Sequence, residues 1–236
     1  MKALLLLLTG AKFGKILLTG GTMLLSIVAY SWIFGWWYAV GFVVLILVHE
    51  MGHYIAARRR GLNVGAPTFI PFVGAWIELK DLPHDAETEA YVGLAGPFVG
   101  TLGALACFYL ARQFDSQLLL ALSYAGFFLN LFNLIPLSPF DGGRVTAVIS
   151  PKLWLIGAPI LLAMFIYRPS PLLILMALLA APQVMKAWRG HQTAEELAYY
   201  NVSMETRTTY AAFYLGLLIF LAVMCHDLQQ ELPRVR

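Results

Sequence analysis

His49, Glu50 and His53 stand where residue type and spacing read most directly as chemistry, in the run His49-Glu50-Met51-Gly52-His53. Residues four apart share one face of a helix, so both imidazoles can grip a single Zn2+ while Glu50, beside the first, reaches an activated water. Zinc lowers the pKa of that water towards about 7, and a carboxylate can take its proton as it attacks a carbonyl. The same carboxylate can then return the proton to a leaving amine. Short patterns also arise by chance, and a His near a helix end can simply sit at an interface. The unbroken apolar run 38–48 before the motif weighs against that. Two imidazoles and a carboxylate at the end of a membrane helix are costly unless something binds them, and the chain has only five His in all.

A catalytic zinc takes three protein ligands and keeps a fourth position open, so a further ligand must come from elsewhere in the chain. Asp141 is the strongest candidate. It follows a helix broken by Pro136 and Pro139, and Phe140, Gly142 and Gly143 flank it with flexible backbone that lets a short carboxylate point inward. An ordinary Asp-Gly turn at the membrane surface is the competing account. Cys107 and Cys225 each lie in an apolar segment, offer no CxxC knuckle or disulfide framework, and read as core or lipid-facing residues. His84 beside Asp85 and Glu87 reads as part of a solvated loop, and His191 and His226 as interfacial.

The elements that must position these residues are membrane spans. Of 236 residues, 60% are hydrophobic and 12% charged, and the mean hydropathy is +0.73. That composition excludes a soluble surface, and a net charge of +3 from scattered Lys and Arg excludes a nucleic-acid-binding face. Crossing the hydrocarbon takes about 20 helical residues. The expected fold is an all-α polytopic membrane protein of about six to seven transmembrane helices with a small re-entrant β-hairpin near the active site. Spans are expected at 16–34, 37–57, 90–111, 117–135, 153–167, 171–187 and 209–225. The stretch 63–82 differs, because Pro67, Pro71 and Gly74 punctuate short β-prone runs at 68–70 and 75–79. Non-helical backbone at membrane depth is tolerated only against protein or a water-filled cavity.

The organisation then reads as an interfacial N-terminal segment at 1–15 and a catalytic membrane core at 16–150. A helical hairpin at 151–187, a polar linker at 188–208, and a last span with its tail at 209–236 follow. With the N-terminus inside, twelve Lys and Arg fall on the cytoplasmic side against four outside, which puts the end of the second span and the Asp141 turn at one cytoplasmic depth.

These residues resemble the site-2 protease family of intramembrane zinc metalloproteases. Three features match in order: HEMGH at 49–53, the Gly-Pro element GLAGPFVG at 93–100, and NLIPLSPFDGG at 133–143. The last is similar to that family's Asn-x-x-Pro-x-x-x-x-Asp-Gly signature. The likeness covers about 16–150. It implies one Zn2+ per chain held by His49, His53 and Asp141, with Glu50 as general base. It also implies that Asn133 lies near the metal, against the substrate backbone or the developing oxyanion, although an Asn in a membrane helix can equally be interhelical glue. The 66–80 loop matches the family's re-entrant hairpin, where an extended substrate could add as a strand. The implied partners are a membrane-protein substrate and the lipid bilayer, and a bacterial cell membrane suits the short loops. PDZ insertions and CBS pairs, carried by many members, have no room here.

Two other readings stand beside it. A membrane HExxH protease of the prenyl-protein-processing type would seek its third ligand in a downstream Glu, here Glu195, Glu196 or Glu205 in a polar linker. A non-catalytic metal transporter or scaffold would spread its ionisable groups across several spans, whereas here they gather at one plane.

Overall fold

The computed structural model describes residues 2–72, 74–76, 81–190 and 193–232. Part of the expected 63–82 loop (73 and 77–80, with Lys80), His191 and the terminal Arg234 and Arg236 lie outside the described residues. The expectation of an all-α polytopic membrane protein with one small hairpin is borne out. Helix α1 spans Lys2–Phe34 and α2 spans Trp36–Arg59. The strands β1, Thr68–Ile70, and β2, Gly74–Trp76, follow, and then α3, Ala86–Phe114, and α4, Gln117–Asn133. After them come α5, Asp141–Ile149, and α6, Trp154–Tyr167. The chain ends with α7, Pro171–Arg189, α8, Ala194–Tyr199, and α9, Met204–Glu231.

By length and composition five stretches can cross a membrane: Leu17–Phe34 within α1, and α2, α3, α7 and α9. Helices α4 and α6 are apolar but shorter. The first helix runs unbroken through the boundary expected near residue 15.

Local chemistry explains where the helices around the site begin and end. Helix α2 stops because Gly61 takes φ +78, which lets the Leu62 N–H reach the Ala57 carbonyl at 3.0 Å and the Gly61 N–H reach Arg58 at 3.1 Å. Leu62 then packs on Ala57 and Val92, fixing the depth at which α2 ends against α3. The Asp85 side chain opens α3 by accepting the Thr88 N–H at 2.6 Å, and Glu87 and Glu89 suit the positive end of that helix.

The strands pair antiparallel, with Phe69 opposite Ala75. The outer polar groups of β1 and its flanks are met by α1: Thr19 donates to the Pro67 carbonyl at 2.6 Å, while the Phe69 and Phe72 N–H groups reach Thr22 and Tyr30 at 3.1 Å each. Phe69 is buried with Ile27, Tyr30, Val43 and Ile46, so the hairpin is seated on protein, as backbone at that depth requires. Asn63 closes the loop by donating its backbone N–H and side-chain amide to Asp81 at 3.0 and 2.7 Å, which holds the Asp81 carboxyl below the usual range.

One segment differs from expectation. Residues 141–149 were expected as a turn and instead form α5, buried along nearly its whole length. Gly142 and Gly143 are poor helix formers, but added Cβ atoms there would stand 2.2 Å from the Leu134 oxygen and 2.6 Å from the Leu137 carbonyl carbon. Only glycine lets α5 fold back onto the 134–140 loop, so packing overrides propensity. The linker 188–208 contains α8, whose Tyr199 hydroxyl donates to Glu89 at 2.7 Å.

Candidate metal centre

Helix α2 buries one broad face that includes Val43, Ile46, Glu50, His53 and Ala57, with Leu45, His49, Gly52 and Ala56 beside them. It meets α3 closely enough that a Cβ on Gly52 would lie 2.4 Å from the Ala95 carbonyl oxygen. This contact brings the His-bearing turn against the glycines of GLAGPFVG. Gly93, Gly96 and Gly100 share a face of α3, and added Cβ atoms would strike Arg144, His53 and Asn130 respectively. The Gly-Pro element is therefore a bed in α3 that takes side chains from three other helices.

Each imidazole is oriented by a hydrogen bond from the nitrogen that faces away from the site. His53 Nδ1 donates to the Val92 carbonyl at 2.7 Å, and His49 Nδ1 to Asn130 Oδ1 at 2.7 Å. The Asn130 amide is itself fixed, because its nitrogen donates to the Gly126 carbonyl at 2.7 Å, leaving its oxygen for His49. Both Nε2 lone pairs are thereby free to face inward.

There they meet Asp141 Oδ2. The two Nε2 atoms are 3.1 Å apart, and each lies 3.2 Å from the carboxylate oxygen. Ligand atoms about 2.0 Å from one tetrahedral zinc are roughly 3.3 Å apart, so this triangle is one face of that tetrahedron. All three side chains are buried, and among the described residues this is the one group of three or more His, Cys, Asp or Glu whose ligand atoms converge. Two imidazoles and one carboxylate form a donor set suited to zinc.

Glu50 is 8% exposed, its carboxylate takes no hydrogen bond among the described residues, and His53, His49, Asp141 and Arg144 are the charges that act on it. Asp141 comes from the first turn of α5, so the third donor rests on a helix and not on a flexible turn.

Other residues singled out by sequence lie elsewhere. Asn133 is half-buried and donates to the Leu129 carbonyl at 3.0 Å. Asn130, one turn earlier, is the asparagine that touches His49, and it was not singled out; its signal was a second amide side chain in an apolar run. Glu195 and Glu196 sit on α8, where Glu196 pairs with Lys186 at 2.9 Å, and Glu205 opens α9. None of the three joins the His pair, as the prenyl-type reading required. His226 accompanies Gln230 on α9, and both cysteines are free thiols.

Apolar helices thus bury a His-His-Asp triangle with a carboxylate beside it. Residues 37–117 match the family described as Peptidase family M50, which bears out the resemblance to the site-2 protease family. The chain is 31% identical over 123 residues to a zinc metalloprotease of Methanocaldococcus jannaschii. That alignment covers 49% of this chain and 35% of the relative, so about a third of the relative's length is spanned. It is also similar to the solved site-2 protease of Methanocaldococcus jannaschii, at 26% identity and a TM-score of 0.47 over 73% of this chain and 87% of that one. The zinc named in the relatives agrees with the donor set of His49, His53 and Asp141.

Proposed function

We propose that this chain is an intramembrane zinc endopeptidase that hydrolyses peptide bonds of transmembrane or membrane-anchored proteins. The observation that carries the reading is the buried triangle of His49 Nε2, His53 Nε2 and Asp141 Oδ2, set among helices long enough to span a bilayer, with Glu50 adjoining it. Zinc held by those three atoms would supply the Lewis acidity that makes a water acidic near neutral pH and polarises a peptide carbonyl.

The protein's own groups do the rest. Glu50 takes the proton of the attacking water and passes it to the leaving amine nitrogen. Asn130 and the Val92 carbonyl keep the two imidazoles in the tautomer and orientation they need. To Asn133, which donates one amide N–H to Leu129, we assign the role of meeting the substrate backbone or the developing oxyanion with the other. A transmembrane helix must unwind before its amides can react, and the β1–β2 hairpin offers strand backbone against which an unwound segment can lie. The excess of Lys and Arg on one side supports a site that opens towards the cytoplasmic face of a cell membrane, with the bilayer and a membrane-protein substrate as partners.

The test is cleavage of a co-expressed membrane substrate. Glu50→Gln should abolish cleavage while leaving bound zinc in place, and chelation should abolish wild-type cleavage until zinc is restored. Cleavage that persists in Glu50→Gln would end this assignment.

A further inference from the structure

The M50 match ends at 117 and does not reach the part of the chain beyond residue 150. The helix that carries Asp141 packs most closely on α3, yet the loop that leads into it and both of its ends take hydrogen bonds from side chains of that later part. Between α4 and α5 the backbone is irregular, with Pro136 and Pro139 lacking N–H groups, and it lies against buried Leu134, Leu137 and Phe140. Exposed polar backbone is not tolerated there, so each free group needs a partner.

Those partners come from three helices. Tyr214 on α9 is buried and donates its hydroxyl to the Leu134 carbonyl at 2.6 Å. Gln183 on α7 accepts the Ser138 N–H through its side-chain oxygen. Trp154, at the start of α6, donates its indole N–H to the Gly143 carbonyl at 2.8 Å, two residues beyond Asp141. One helical turn along α6, Gly157 sits so close to Pro136 that an added Cβ would lie 2.5 Å from its carbonyl oxygen.

The far end of α5 is gripped as well. The Arg207 guanidinium, on α9, donates to the carbonyls of Val148 and Ile149 at 3.1 and 2.8 Å, and to Tyr200 at 2.8 Å. It thereby caps the C-terminus of the helix whose first turn bears Asp141.

We propose that α6, α7 and α9 form a brace that sets the position of Asp141, with Tyr214, Gln183, Trp154 and Arg207 as positioning residues for the third metal donor. Asp141 belongs to a nine-residue helix that would be marginal by itself, whereas His49 and His53 ride on a 24-residue membrane helix. The backbone turn that bears the His pair is therefore stabilised by its own long helix, whereas the turn that bears the carboxylate depends on contacts from other helices. This inference rests on the metal site proposed above.

The experiment measures zinc retention by the purified full chain in detergent under competition from a chelator, together with helix content by far-ultraviolet circular dichroism. Tyr214→Phe combined with Gln183→Leu should weaken zinc retention by up to about tenfold, the low end of what loss of a direct outer partner of a metal ligand costs, because both act on the loop and not on the carboxylate, with helix content unchanged. Tyr214→Phe alone should show part of this loss, and Gln183→Glu, which keeps an acceptor for the Ser138 N–H, should retain zinc better than Gln183→Leu. Wild-type retention in the double variant, or zinc loss only alongside lost helix content, would overturn the brace. Asp141→Ala is the reference: if it too keeps its zinc, the metal site itself is wrong and the brace falls with it, whereas zinc loss in Asp141→Ala alone refutes the brace and spares the site.

Discussion

Gly96→Ala is a one-methyl test of how the centre is built. The added Cβ would lie 2.2 Å from His53 Nε2, 2.3 Å from Cε1 and 2.7 Å from Cδ2, where ordinary contact begins at 3.4 Å. The ring must therefore retreat by about 1.2 Å, and two features oppose that. Its Nδ1–H is held by the Val92 carbonyl at 2.7 Å on the same helix as Gly96, so swinging away breaks the bond that sets its tautomer. Separating the helices offers no easy escape, since Gly52 already lies in close contact with Ala95 and the whole α2–α3 seam would have to open. Metal–ligand distances tolerate only about 0.2 Å, so a displacement of this size removes His53 as a donor. Zinc affinity should fall by at least about 100-fold, the upper end of the effect of losing an outer partner. Global stability should fall by no more than about 2 kcal/mol, because an overpacking cost of about 1–3 kcal/mol is partly offset by the roughly 1 kcal/mol that Ala gains over Gly in a helix. Zinc competition titration and thermal unfolding in detergent separate the two quantities. Gly216→Ala on α9, where an added Cβ meets no atom within 4 Å, is the matched control and should bind zinc normally. Equal zinc affinity in both variants would refute the account of α3 as a bed for His53.

Two other substitutions extend the test in opposite directions. Asn130→Leu removes the acceptor for His49 Nδ1 at a site only 1% exposed, so zinc affinity should drop about tenfold to a hundredfold by the same titration, with the helices retained. Arg112→Ala breaks the 2.6 Å pair with Glu231, but those side chains are 49% and 40% exposed, so unfolding in detergent should shift by no more than about 1 kcal/mol and activity should not move.

How much of this was legible in the sequence depends on how far each contact reaches along the chain. His49 and His53 are four residues apart on one helix, so helical geometry alone puts them on one face, and the apolar run before them marks the membrane. The spans were legible for the same reason, although α4 and α6 are shorter than the other five. Asp141 could be nominated only because Pro and Gly punctuation marks a break. That it opens a helix was hidden by Gly142 and Gly143, whose weak propensity is outweighed by a fit against the 134–140 backbone that no local window contains. Asn130 shows the limit most clearly. Asn130 and Asn133 lie in the same apolar run, and the motif directs attention to the second, but which of them faces His49 is set by rotation about α4. That rotation is fixed by contacts such as Gly100 against Asn130 and Gly126 against Ala104, thirty and twenty-two residues away in the chain. The small residues of α3 and α4 thus decide which polar side chain reaches the centre, and in a sequence they register only as helix-weakening glycines.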